Sequence, residues 1–248
     1  MKSLYLDCSA GADSRRIGGA LLDLMSDPET FLKKLNSLYP ALVFHADPQP
    51  GQDFTGRLFF VEIPDHAEEV LPEDPGTFLS LLPLPDKVRD RVMEMLSLME
   101  ESRSCMSCSA NVNPLTRKRE KISLTGSLAA VCLALGEIAP DHVAASAVNV
   151  GRSRLCCAHG FAPDPSPDIM HMLRPVPIYS QNTEEELCTP DGAAILRILV
   201  DDFTRQPEYE PSKTGVGIKE ESGGKILCLR AHLYDTDLTV LANMNFFE

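Results

Sequence analysis

Residues 146–199 read SAVNVGRSRLCCAHGFAPDPSPDIMHMLRPVPIYSQNTEEELCTPDGAAILRIL. The stretch leaves an extended run (142–150), crosses a middle stiffened by prolines at alternate positions (Pro163, Pro165, Pro167), and enters a helix at Thr189-Pro190. Threonine is a good N-cap and proline suits the first helical turn. A strand followed by a long irregular crossing and a helix is not the regular spacing of a βαβ unit. With the elements around it, this predicts an α+β fold, a mixed sheet or sheets with packed helices. The middle also carries Cys157 and His159. On an extended segment, residues i and i+2 point to one side, so a thiolate and an imidazole can reach one metal, and soft S/N ligands suit nickel, copper or zinc. The plain alternative is that Cys156 and Cys157 are small buried hydrophobes and His159 is a loop histidine.

Working outward, residues 3–8 form an apolar run ending in Asp7-Cys8, a first strand, and 16–25 a periodic helix. Asp27-Pro28 starts another helix. Residues 41–45 and 56–63 read as a strand pair, 64–75 as an acidic loop, and 87–101 as a helix with Val88, Val92, Met95 and Met99 as core filler. Residues 127–138 are a small-residue helix, 190–203 a second, and 225–233 a strand. The glycines Gly215 and Gly217 mark bends at strand ends. The whole chain, 1–248, is one region, with two subdomains an option and the polar, basic stretch near 103–120 the expected mobile segment.

A length of 248 residues with 44% apolar content supports a sizeable core. The net charge of −13 argues against nucleic acid and anionic membrane as partners. No apolar run of spanning length and no signal peptide is read, so the expected compartment is cytoplasmic and the eight cysteines are expected to be free thiols. Cys105-x-x-Cys108 lacks the second pair that a structural zinc site needs. Asp7 with Cys8 at a strand end is a second candidate ligand pair. Thr189, Asp191 and Gly192 open a helix whose N-terminus can collect an anion.

CCAHGFAPDPSPDIMHML, PVPIYS and ELCTPDGAAIL together resemble the nickel-insertion proteins that mature the nickel-pincer nucleotide cofactor of lactate racemase (LarC type). LYLDCSAGADSRRIGGALLDL resembles the opening of that family, and KTGVGIKEESGGKILCLRAHL its Gly-rich segment and following strand. The resemblance implies nickel handling, the pincer nucleotide or its precursor as partner, Cys157, His159, Asp7 and Cys8 as metal candidates, and Thr189, Asp191 and Gly192 at the nucleotide.

Three departures accompany it. Asp13, Ser14, Arg15 and Arg16 stand against the family's Ser-Gly-Asp-Met, so arginine replaces the acid. Lys121 to Ala129 stand against His-Phe-His-Glu-Val-Gly-Ala-x-Asp, and only the glycine, Gly126, survives. The family's C-terminal domain, which binds cytidine triphosphate, has no counterpart in these residues; a separate chain supplying it is one expected partner, and a homo-oligomer is another. Two functions follow. One is nickel insertion into the pincer nucleotide; the alternative is a non-catalytic metal- or cofactor-binding paralogue. A metal-independent hydrolase has no supporting motif, since no Ser/His/Asp order is legible.

Overall fold

The computed structural model describes residues 1–50, 55–103, 114–152, 156–157, 160–161, 166–181, 183, 185–220 and 224–235. Strand β1 (Ser3–Asp7) leads into helices α1 (Ser14–Leu24) and α2 (Pro28–Asn36), then the hairpin-like strands β2 (Val43–Pro50) and β3 (Thr55–Glu62). A 3-10 turn at Asp65–Val70 precedes α3 (Pro75–Leu81), α4 (Asp86–Arg103) and α5 (Pro114–Ile138). Strands β4 (His142–Ala145), β5 (Val148–Asn149), β6 (Cys156–Cys157) and β7 (Gly160–Phe161) follow, then α6 (Pro167–Met172), β8 (Ile178–Tyr179), α7 (Pro190–Leu199) and β9 (Asp202–Phe203). The last two strands are β10 (Lys213–Glu220) and β11 (Ile226–Tyr234).

The main sheet has seven strands in the order β2-β3-β10-β11-β1-β4-β9. It is mixed: β1 runs antiparallel to β11 and parallel to β4, and β10 runs antiparallel to β11 and parallel to β3. The α+β expectation holds. Alternation decides the faces. Leu4 and Leu6 on β1 and Leu229 and Ala231 on β11 enter one large apolar core with α1, α4, α5 and α7, while Tyr5, Ala144 and Tyr234 form a small cluster of their own. The β2 edge is blunted. Pro48 and Pro50 carry no N–H, and the Asn36 side chain accepts from Phe44 N (2.7 Å) and donates to its carbonyl (3.1 Å), standing in for a missing strand.

Helix α5 begins at Pro114, well before the expected 127, so the described end of the supposed mobile segment is helical; residues 104–113 lie outside the described residues, with Cys105 and Cys108 among them. Its early turns are polar because they are pinned from outside. Lys118 pairs with Glu73 (2.7 Å) and Arg119 with Asp65 (3.1 Å). The Thr125 and Ser127 hydroxyls donate to carbonyls four residues back (2.7 and 3.1 Å), which lets them sit inside a helix. Within α5, Lys118–Ile138 is long and apolar enough by composition to cross a bilayer. It is instead the central core helix: Leu128, Val131 and Cys132 are at most 1% exposed.

Strand β10 was expected only as bends around Gly215 and Gly217. The glycines lie within the strand because α1 crosses it at backbone contact: a Cβ on Gly217 would fall 1.7 Å from the Arg16 carbonyl oxygen. The 142–150 run divides, with β5 leaving the main sheet to pair β8, and the 190–203 helix stops at Leu199 so that 202–203 can join the sheet edge beside β4.

Candidate functional site

The turn after β1 and the turn before α7 are built against each other. Gly11 has φ +79°, the left-handed region that glycine enters at no steric cost, and a Cβ there would sit 1.9 Å from the Leu187 carbonyl oxygen. Ala12 N donates to Leu187 O (3.0 Å) and Thr189 N donates to Ala12 O (3.0 Å), closing a parallel bridge between Ala12 and Cys188. Gly192 lies behind this bridge, where a Cβ would meet Ala12 O at 2.1 Å.

Two carboxylates then satisfy the first amides of α1. Asp13 is its N-cap and accepts from Arg16 N (2.7 Å), while Asp191, from α7, accepts from Ser14 N (2.7 Å). The Arg16 side chain is buried under the same turn. Its Nε donates to Asp13 Oδ2 (2.6 Å), one terminal nitrogen to the Ala10 carbonyl and the other to the Leu187 carbonyl (2.6 Å). The guanidinium is a three-way clamp holding the starts of α1 and α7 side by side.

In front of that clamp lies a pocket of about 390 Å³. It is lined by Asp13, Ser14 and Arg15 from α1, Glu120, Ser123, Leu124 and Ser127 from α5, Thr189 and Asp191 from α7, and by Val61 and Lys219 from β3 and β10. A shallower pocket shares Val61, Glu120 and Ser123 and continues the groove toward Asp65 and Arg119. Three segments far apart in sequence, the opening turn, the divergent 121–129 stretch and the Thr-Pro-Asp-Gly turn, therefore meet on one cavity. Asp13 is paired with Arg16 and Asp191 accepts from the Ser14 amide, while Arg15 is exposed beside the opening.

The remaining candidate residues fall elsewhere. Asp7 is half-buried; its Oδ1 accepts from Ser9 N (3.0 Å) and its Oδ2 stands 3.9 Å from Arg230. Cys8 is fully buried, and burial, reinforced by the Asp7 charge, pushes its thiol up to about 12. Cys188, also buried, is raised well above the ordinary thiol value by burial first and by Cys8 and Asp191 nearby. A thiol so disfavoured as thiolate is a poor metal ligand until something opens its surroundings. Cys157 belongs to β6, paired with Gly160, and neither its side chain nor His159 falls among the described residues. Among those residues no group of three or more His, Cys, Asp or Glu could hold a metal ion.

Sequence reasoning did not find Arg15, Ser123, Ser127 and Lys219 as pocket residues, nor the clamp role of Arg16. The one available signal was positional. Serines at i and i+4 share a helix face, but Ser123 stands against a histidine of the family pattern and reads there only as a lost ligand.

The structure is thus a mixed-sheet α+β protein in which three segments distant in sequence converge on one cavity. The family model described as nickel insertion protein matches residues 4–244, and the chain belongs to that family. It is 29% identical over 237 residues to a Thermotoga sp. (strain RQ2) protein named pyridinium-3,5-bisthiocarboxylic acid mononucleotide nickel insertion protein, covering 88% of this chain and 57% of that one. Relatives of the same name from Staphylococcus epidermidis and Thermotoga petrophila are 23% and 30% identical, over 95% and 87% of this chain. The chain spans 60% and 56% of their lengths. No solved structure matches.

Proposed function

We propose that this chain takes part in inserting nickel into a pyridinium-3,5-bisthiocarboxylic acid mononucleotide, and that the pocket between α1, α5 and α7 receives the nucleotide. The observation that carries the reading is the convergence of the opening turn, the 121–129 stretch and the Thr189–Gly192 turn on one cavity in a chain of this family. A mononucleotide brings a phosphate, a sugar and a ring. The start of α7 at Thr189 and Asp191, with Arg15 close by, suits the phosphate; Gly192 serves from behind by allowing the close approach of Ala12. Nickel is the cargo. A thiolate or imidazole must hold it before it passes to a thiocarboxylate of the nucleotide, and Cys157 with His159 are the proposed carriers, Asp7 and Cys8 the second pair. We place the work in the cytosol, with Cys8, Cys132, Cys188 and Cys228 as free thiols. A second polypeptide carrying the part of the relatives beyond the matched region, and self-association, are the proposed partnerships.

The second reading, a non-catalytic binder, is favoured by one observation: Ser123 and Leu124, which face the pocket from α5, stand where the family pattern places a histidine and a glutamate. Purified chain incubated with nickel and the mononucleotide, with and without the C-terminal portion of a relative, separates the two. Mass spectrometry of the nucleotide should show nickel incorporation when the second portion is present. Binding of the nucleotide without incorporation in either case would favour the binder, and no binding at all would overturn both.

A further inference from the structure

The walls of the pocket differ in hydrogen-bonding character, and the difference can be read from where each proton already goes. On α5, the Ser123 hydroxyl donates to the Val61 carbonyl (3.0 Å) and the Ser127 hydroxyl donates to the Ser123 carbonyl (3.1 Å). A serine hydroxyl has one proton and two lone pairs. With both protons committed to backbone carbonyls, what these two residues turn toward the cavity is acceptor capacity. They are one helical turn apart and so lie on the same face. Glu120, one turn earlier on that side of α5, adds only acceptors when ionised. The rest of the lining carries the Arg15 guanidinium and the Lys219 ammonium, donors with no acceptor capacity, beside Thr189 and the Asp13 and Asp191 carboxylates, which already accept from Arg16 and from Ser14 N. Leu124 and Val61 supply the apolar surface between.

A bare phosphate or a dicarboxylate would meet the α5 wall with acceptors against acceptors. A ligand that fits both walls must donate from one part and be anionic at another. We infer that Ser123 and Ser127 form a hydroxyl-accepting wall that recognises the sugar diol of a ribonucleotide, with its phosphate turned toward Arg15, so that the pocket selects ribose over deoxyribose and nucleotide over nucleoside. This rests on the reading that the pocket takes a mononucleotide and adds to it an orientation and two selectivities.

The probe is pyridinium-3-carboxylic acid mononucleotide, compared with its 2′-deoxy form and its dephosphorylated nucleoside, titrated calorimetrically into the full chain. The wild type should bind the ribonucleotide about tenfold more tightly than the deoxy form, the scale of one or two hydrogen bonds whose loss leaves a polar group unpaired. Ser123→Ala with Ser127→Ala should remove that preference while leaving the deoxy affinity nearly unchanged. Arg15→Ala should remove the preference for nucleotide over nucleoside and leave the ribose preference intact. Thermal unfolding of each variant shows that it is folded. Leu124→Trp, which fills the cavity from a partly exposed position, tests location. Binding blocked by Leu124→Trp but indifferent to the 2′-hydroxyl in the wild type would overturn this inference and leave the proposed function standing. No binding by the wild type, or binding that Leu124→Trp does not weaken, would overturn both.

Discussion

Replacing Arg16 with methionine tests the clamp on which the pocket depends. The guanidinium and the Asp13 carboxylate are 1% and 4% exposed at the side chain and 2.6 Å apart. Arg16→Met keeps most of the volume but leaves the Asp13 charge in a dry site, strips the Ala10 carbonyl of its guanidinium donor, and leaves the Leu187 carbonyl with the Ala12 amide alone. Breaking one side of a buried pair costs roughly 3–5 kcal/mol, because the partner charge is left uncompensated. Against a total of about 5–15 kcal/mol, that is a large fraction, and for a chain of this size it corresponds to a fall in melting temperature of roughly 6–20 °C. Asp13→Asn added to Arg16→Met should recover part of the loss: the buried charge is gone, and asparagine still caps α1 through its side-chain oxygen. Urea unfolding at neutral pH, read as a double-mutant cycle over Asp13, Arg16 and both together, gives the coupling directly. A single Arg16→Met variant within 0.5 kcal/mol of wild type, with no coupling to Asp13, would refute the clamp. Nucleotide binding by Arg16→Met should weaken even at temperatures where it is folded, since the starts of α1 and α7 are no longer tied.

Gly217→Ala should destabilise by about 2 kcal/mol or more, because the added methyl meets the Arg16 carbonyl rather than a movable side chain and must push α1 off β10; denaturant unfolding checks this, and a neutral result would mean that helix and strand are not in backbone contact. Stability should also fall in alkali. Burial raises the Cys8 and Cys132 thiols from 9.0 to about 12, so the folded state holds protons that the unfolded chain releases. The contribution is intact below pH 9 and drains away as pH climbs toward 12, by about 1.4 kcal/mol per thiol at pH 10. Chemical denaturation at pH 8 and pH 10 measures it, and Cys132→Ala should shrink the difference. Cys8, Cys132 and Cys188 should resist an aromatic disulfide reagent in the native protein and react on unfolding; fast native labelling at these positions would contradict their burial. Asn36→Ala should cost about 1 kcal/mol by unpairing the Phe44 backbone, and light scattering should reveal self-association through the opened β2 edge.

Local chemistry set much of this molecule. The alternation in residues 3–7, the Asp-Pro start of α2, the Thr-Pro start of α7 and the periodicity of α4 each depend on near neighbours, and each is legible in the chain, as is family membership from the three motif segments. What the sequence could not decide depends on partners distant along the chain. Residues 114–120 look like part of a basic loop until Glu73 and Asp65 are placed opposite Lys118 and Arg119. Gly215 and Gly217 look like strand ends until α1 is laid across them. Arg16 reads only as the start of a periodic helix until Asp13 and two carbonyls, one of them 171 residues away, close around it. The pocket is the clearest case. Its linings come from five elements, and Ser123 and Ser127 acquire their meaning only from Val61 and the helix backbone, which take their protons and so fix what the cavity can accept. A hydrogen bond's direction is a property of the pair, and only the tertiary structure supplies the second member.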